Sequence, residues 1–99
     1  MAITIELWVE ERLVAGTEHW WDDVEAALGS ESANYPLLSA VDPYGEVRLQ
    51  EPYMGDLSKE CRALAVDASS RLQPFLLQLA DLADSGVRTG HAEIRFIGD

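Results

Sequence analysis

The sequence is poor in several residues that enzymes and secreted proteins rely on. Cys61 is the only cysteine and Lys59 the only lysine in 99 residues. A single cysteine excludes an intramolecular disulfide framework and a zinc site built from several cysteines. A single lysine leaves little scope for Schiff-base chemistry. The sequence also has no glycine-rich phosphate loop, no Gly-x-Ser-x-Gly elbow and no zinc signature. It therefore indicates no enzyme class and no cofactor.

The two histidines do not suggest a metal site either. His19 and His91 are far apart in the sequence, and Asp22 and Asp23 are the only nearby ligands that could join His19 on a helix surface. No further ligand is indicated, so no metal is expected. Cys61 falls on the apolar stripe of a predicted helix, where a buried structural thiol is expected rather than a nucleophile.

Long apolar runs are also missing. No stretch approaches the ~20 residues that a membrane-spanning helix needs. The first residues lack the basic region and apolar core of a signal peptide. The expected location is therefore the cytoplasm, and 99 residues are expected to form a single domain over residues 1–99.

Negative charge is what the chain has in excess. Its formal net charge is −11 at pH 7, and ten of its 18 acidic residues lie in residues 1–47, where Arg12 is the only base. Such an imbalance is typical of a surface that meets a cationic partner, and it disfavours direct binding to nucleic acid. The alternative is that the charge only keeps a small protein soluble.

The hydrophobic pattern predicts the secondary structure. Apolar and polar residues alternate over residues 3–10, which predicts a strand with Trp8 on its polar face. The chain should then turn at residues 14–16, and a helix is predicted over residues 17–28 with Thr17 as its N-cap and Gly29 as its stop. One of its adjacent tryptophans, Trp20 and Trp21, should lie at the edge of the core.

A corner over residues 35–50 follows a polar loop. An apolar run enters the turn Asp42-Pro43-Tyr44-Gly45, and alternating residues leave it as a short strand. Asp at the first position can accept a hydrogen bond from the turn backbone, and Pro at the second fixes φ, as in a type I turn.

The remaining residues predict two helices and a strand. The helices should cover residues from about 55 to 69 and from about 70 to 85, the second ended by Gly86, and a strand is predicted over residues 92–96. The fold class is therefore predicted to be α+β: a small antiparallel sheet of N-terminal, C-terminal and short middle strands, with about three helices packed on one face.

Carboxylates near exposed aromatic residues predict a protein-binding surface for a basic partner. An immunity-type inhibitor, which places carboxylates in the cleft of a nuclease-like toxin where phosphates would lie, is the favoured hypothesis. The candidate partner-binding residues are Trp8, Glu10, Glu11, Glu18, Asp22, Asp23, Glu25, Asp42, Tyr44, Glu46 and Asp99.

Two alternatives stay open at this point. One is a self-associating structural or regulatory protein, a homodimer for example, that uses an exposed Trp8 and a sheet edge. The other is an enzyme with Asp42, Asp99 or His91 in a cleft. A tryptophan at position 8 could also be structural, lying under a loop or helix.

The corner Tyr-Pro-Leu-Leu-Ser-Ala-Val-Asp-Pro-Tyr-Gly-Glu and the ending Phe-Ile-Gly-Asp resemble those of a group of small bacterial proteins of unknown function. The resemblance covers most of the chain, and Glu46 stands where that group has Asp. It implies that the shared positions are Asp42, Pro43, Tyr44, Gly45, Gly98 and Asp99. Two roles are open for them: a rigid turn packed against the chain end, or a functional pair of Asp42 and Asp99.

Overall fold

A four-stranded antiparallel sheet forms one layer of the molecule. The computed structural model describes residues 2–98. The strands are β1 (Ala2–Val9), β2 (Arg12–Trp20), β3 (Glu46–Gln50) and β4 (Ala92–Ile97), and their spatial order is β2-β1-β4-β3. The first and last strands, β1 and β4, pair with each other. Candidate residue Asp99 lies outside the described residues.

Helices form the second layer. They are α1 (Asp22–Leu28), α2 (Pro36–Ser39), α3 (Tyr53–Asp67) and α4 (Gln73–Thr89). The two long helices, α3 and α4, pack against each other, and α4 contacts both β1 and β4. The predicted α+β class, with helices on one face of a small antiparallel sheet, is confirmed.

The core lies between α4 and the two central strands. Alternate residues of β1 and β4 face it, so Ile5, Leu7, Ile94 and Phe96 are at most 2% exposed. Period-two alternation puts the remaining residues of these strands on the opposite side, which we call the outer face. The outer face therefore carries the polar half of the pattern.

The prediction for residues 14–28 is wrong in its first half. Residues 12–20 form strand β2, and the chain reverses before it, at Glu10 and Glu11, which both have positive φ. Pairing with β1 satisfies the backbone groups on one side of β2 and half-buries Ala15 and Thr17. This gain is non-local, so it outweighs a helical pattern read from neighbouring residues. Only residues 22–28 form the predicted helix.

Gly86 does not end α4, contrary to the prediction. The helix continues to Thr89, and Gly90 with φ +76° follows it. Gly86 is needed for close packing, since a Cβ there would lie 2.6 Å from Met54 Sδ and 3.3 Å from Leu7 Cδ1. The smaller boundary errors are the start of α3 at Tyr53, the start of α4 at Gln73, and a 3₁₀ helix in place of the loop at Gly29–Asn34.

The predicted corner has the expected geometry. The backbone N–H of Gly45 donates to the carbonyl of Asp42 at 3.2 Å, and the N–H of Tyr44 donates to Asp42 Oδ1 at 2.9 Å. The chain end packs on this turn, because the N–H of Gly98 donates to the carbonyl of Gly45 at 2.7 Å. A Cβ on Gly98 would lie only 2.2 Å from the carbonyl oxygen of Pro43, so the contact requires glycine. The turn is therefore built into the fold.

Candidate protein-binding surface

The structure divides the candidate residues among three places. The sheet register places Glu46 and the turn before it at the end of β4, whereas Glu10 at the β1–β2 hairpin contacts the start of β4. With about 3.3 Å of rise per strand residue, these two ends of the sheet are roughly 20 Å apart. The three groups are Trp8, Glu10 and Glu11 at the hairpin end, Glu18, Asp22, Asp23 and Glu25 at β2 and α1, and Asp42, Tyr44 and Glu46 at the turn.

Trp8 belongs to the outer face and is held by its neighbours. The guanidinium carbon of Arg95 lies 4.0 Å from the ring centroid, in a cation–π contact. The indole N–H donates to Glu6 Oε1 at 3.0 Å. Trp8 is therefore half-buried beneath Arg95 on an open sheet face, and it does not lie under a loop or helix.

Arginines neutralise much of the charge on the outer face. Arg95 Nε lies 2.7 Å from Glu93 Oε2, and Arg48 Nε lies 2.5 Å from Glu46 Oε2. Burial opposes ionisation of Glu93, but hydrogen bonds from Arg95 and Gln50 and the nearby arginine charges keep its pKa below the usual value. Candidate residue Glu46 is thus already paired, so the part of this face that β3 and β4 form has little negative charge left for a partner.

Carboxylates are in excess over bases around β2 and α1. We define the β2–α1 surface as the exposed part of residues 10–28. Arg12 is the only Lys or Arg among these residues, and Arg71 lines a hollow beside them with Glu18, Trp20 and Asp23. His19 Nε2 lies 3.9 Å from Asp23 Oδ2. Three apolar side chains also lie open: Leu13 is 54%, Val14 59% and Trp20 51% exposed. Its carboxylates are those of Glu10, Glu11, Glu18, Asp22, Asp23 and Glu25.

The two adjacent tryptophans have different environments, as predicted. Trp21 is 1% exposed and makes edge-to-face contacts with Phe75 and Phe96 at centroid distances of 6.4 and 5.9 Å. Trp20 ends β2 and points to the solvent side of the sheet, opposite Ala2. The exposed tryptophan next to the carboxylates is therefore Trp20.

His19 connects this surface to the core. Its ring stacks on Phe75 at a centroid distance of 3.8 Å, and its Nε2 is buried and makes no hydrogen bond to a described residue. Burial lowers the pKa of His19 against the opposing effect of Asp23, whose Oδ2 is 3.9 Å away, and Arg71 lowers it further. The side chain is thus a neutral, stacked part of the sheet edge near neutral pH.

A cleft of about 480 Å³ lies beside α1. Asp23, Glu31 and Asp67 contribute carboxylates to it, Arg71 contributes a positive charge, and Tyr35 lies at its wall. Its apolar lining comes from Ala26, Ala27, Leu64, Ala68 and Leu72. Asp67 ends α3, where the helix dipole disfavours a carboxylate, so its position is not explained by helix stability.

Sequence reasoning missed Glu31, Asp67 and the apolar pair Leu13 and Val14. Glu31 and Asp67 carry no motif, and only the folded chain brings both to the lining of one cleft. Burial alternates from Ala15 to Trp20 in the structure, but the sequence Ala-Gly-Thr-Glu-His-Trp has no matching apolar alternation, so it contains no period-two signal for β2.

The structure also bears on the residues named in the enzyme hypothesis. His91 borders a polar hollow of about 370 Å³ with Glu10, Glu11 and Glu51. Asp42 lies before β3, at the opposite end of the sheet from His91, so these two do not share a cleft. Cys61 is buried, and burial raises its pKa to about 12, with a further contribution from Glu60. Such a thiol is a packing group.

Within residues 2–98, no three His, Cys, Asp or Glu side chains are grouped so that they could hold a metal ion. Across the same residues, every helix is too short or too polar to cross a membrane. Comparison with protein-family models, with curated proteins and with solved structures gave no match. The resemblance of the corner and the chain end to a bacterial group therefore stays a prediction.

Proposed function

We propose that this protein is an acidic protein-binding module and that it binds a basic protein through the β2–α1 surface. The specific form that we favour is an immunity-type inhibitor, which would occupy the basic, nucleic-acid-binding cleft of a toxin. Carboxylates spaced along a strand and a helix start can take the places of phosphates in such a cleft. Direct binding to nucleic acid is disfavoured by the same charge.

One observation carries the proposal: carboxylates outnumber bases on this surface and lie beside exposed apolar side chains. Arginines pair with Glu46 and Glu93 on the outer face, whereas the region from residue 10 to residue 25 holds six carboxylates against Arg12 within it and Arg71 beside it. An excess of negative charge alone would serve solubility. Charge next to Trp20, which is half exposed, supports recognition, because tryptophan is among the residues that dominate binding energy at interfaces.

Backbone strain supports the same conclusion. Glu10 and Glu11 have φ values of 50° and 67°, which glycine and asparagine tolerate much better than glutamate. A solubilising charge could be placed anywhere on the surface without that cost. The presence of two glutamates at these strained positions therefore supports a role for their carboxylates.

The test is the ionic-strength dependence of partner binding. Affinity capture from the native cytoplasm identifies the partner, and stopped-flow mixing then measures the association rate constant. We expect this rate constant to fall at least tenfold as salt rises from about 10 mM to about 200 mM. An association rate that does not change with salt would contradict charge steering.

Matched variants locate the surface. Glu18→Gln combined with Asp23→Asn should slow association and Trp20→Ala should speed dissociation, because rim charges act mainly on encounter and buried anchors on lifetime. Asp56→Asn, an exposed carboxylate at the start of α3, removes the same kind of charge away from the surface. Because the double variant removes two charges and Asp56→Asn removes one, an effect of Asp56→Asn on the logarithm of the rate constant about half as large as that of the double variant would show that only net charge matters.

A second candidate function is self-association. The observation that favours it is the position of β2 at the edge of the sheet, with Leu13 and Val14 exposed along it. Light scattering across a range of protein concentrations separates the two functions. A concentration-dependent dimer that Leu13→Ser dissociates would favour self-association, and a monomer at all concentrations would exclude it.

A further inference from the structure

The acidic groups of the β2–α1 surface lie at both ends of an edge strand. β2 pairs with β1 on one side, and no described strand pairs with its other side. Glu10 and Glu11 immediately precede the strand, and Asp22 and Asp23 follow it closely. An unpaired edge presents a row of backbone N–H and C=O groups that can pair with another strand.

We propose that the partner binds by adding an extended segment to the free edge of β2, with basic residues at both ends of that segment and apolar or β-branched residues between them. This inference rests on the proposed function, because it specifies how a basic partner is held. Backbone hydrogen bonds to the edge provide affinity, and the alternate side chains provide specificity, as in other cases of strand addition.

The regular part of the strand sets the length of the segment. A bulge interrupts the pairing of β2 with β1 near Leu7 and Trp8, so residues 15–20 form its regular part. That part has room for about six paired residues, or roughly 20 Å of extended chain. Within residues 15–20, Glu18 is exposed on the outer face. A basic side chain directly opposite Glu18 on the added segment would complement its charge. Leu13 and Val14 lie at the bulge and offer an apolar contact beyond the paired segment.

Charge favours a basic partner over a second copy of the chain on this edge. Antiparallel pairing over the full length of β2 would bring Glu10 and Glu11 of one copy to the end of the strand that precedes Asp23 of the other. In-register parallel pairing would place each carboxylate next to its own equivalent. Like charges directly opposite each other destabilise a strand pair, whereas a lysine or arginine at each end of the added strand would be attracted.

Synthetic peptides test this mode of binding. The probe is a six-residue strand of alternating threonine and valine with two lysines at each end, and its binding to the full chain is followed by tryptophan fluorescence. Two N-methylated versions, modified at odd or at even positions, keep the charge but block the backbone N–H groups of one edge each. Only one edge of the added strand faces β2, so we expect one N-methylated peptide to bind about tenfold more weakly or worse and the other to bind nearly as well as the parent.

Hydrogen exchange and charge variants complete the test. Bound peptide should slow amide exchange within residues 15–20, and Glu10→Gln with Glu11→Gln should weaken binding by about threefold to tenfold at low salt, whereas Asp56→Asn should not. Equal binding of the two N-methylated peptides, no protection in β2, or no binding of the parent peptide would each overturn strand addition. So would a dimer of this chain that already protects β2. The salt dependence of binding to the native partner tests the proposed function separately, so the proposed function can hold even if strand addition is overturned.

Discussion

At the scale of single residues, Gly86 shows how one backbone position controls the packing of the two layers. It lies inside α4 and is buried against Met54, Leu7 and Ala92, which come from α3 and from two strands. Glycine is a poor helix former, so its presence here is explained by the contact and not by local structure. Close approach of α4 to the sheet depends on the missing Cβ.

Replacing Gly86 with alanine should therefore destabilise the protein. Overpacking costs about 1–3 kcal/mol, and the better helix propensity of alanine returns about 1 kcal/mol, so we expect a net loss of up to about 2 kcal/mol in the free energy of unfolding. Urea denaturation measures it. Gly55→Ala in α3 is the matched control, because a Cβ there would meet nothing within 4 Å, and it should gain about 0.5–1 kcal/mol. A stabilising Gly86→Ala would show that Met54 moves aside without cost.

At the scale of secondary-structure elements, the turn of the β1–β2 hairpin contains residues in strained backbone conformations, which other residue types would adopt at lower cost. Its two turn residues, Glu10 and Glu11, both have positive φ, the geometry of a type I′ turn. We expect Glu10→Asn with Glu11→Gly to raise the free energy of unfolding by about 1 kcal/mol or more. Thermal and urea unfolding give this value.

The control for the hairpin keeps the strain and removes the charge. Glu10→Gln with Glu11→Gln should leave stability close to that of the natural chain, while both pairs of substitutions should weaken binding of a basic partner. If the two glutamines stabilise the protein as much as the Asn–Gly pair does, the gain comes from reduced charge repulsion and not from reduced backbone strain.

The α3–α4 pair is joined by a charged cluster. Arg62 Nη2 lies 3.1 Å from Asp81 Oδ1 and 2.6 Å from Asp84 Oδ2. A hydrogen bond from Ser58 and then the interactions with Arg62 lower the pKa of Asp84. A carboxyl group whose pKa is lowered in the folded state stabilises the fold above its unfolded-state pKa, and this stabilisation is lost as pH falls through the folded-state value.

Asp84→Asn should therefore reduce stability near neutral pH and make the loss of stability below about pH 4 shallower than in the natural chain. Chemical denaturation at a series of pH values measures both effects. Asp56→Asn also removes one negative charge, together with a favourable interaction at the start of α3, so the loss in Asp84→Asn near neutral pH should exceed that in Asp56→Asn. If the free energy of unfolding falls with pH as steeply in Asp84→Asn as in the natural chain, protonation of Asp84 is not the cause of that fall.

At the scale of the whole molecule, the net charge of −11 should act against the compact state at low ionic strength. Screening by salt reduces the repulsion, so we expect the midpoint of thermal unfolding to rise by a few degrees between about 10 mM and about 200 mM NaCl. The effect should shrink near the sequence pI of about 4.3, where the net charge vanishes. A midpoint that falls with salt at pH 7 would mean that attractive ion pairs outweigh the repulsion.

The sequence alone determined the features that depend on local periodicity and turn chemistry. Alternation predicted β1 and β4, apolar spacing predicted α3 and α4, and Asp42 and Gly45 predicted the turn. The acid excess of the first half was also plain, since charge is counted directly from the residues.

Only the tertiary structure decided how residues 12–20 fold and where their charges lie. That segment becomes a strand because β1 pairs with it, which is a non-local gain that no local window contains. Because of this pairing, residues that were predicted to lie on a helix surface form an edge strand with carboxylates at both ends. It also left Trp20 exposed while Trp21 was buried against Phe75 and Phe96, since partners distant in the sequence determine which of two adjacent side chains reaches the core.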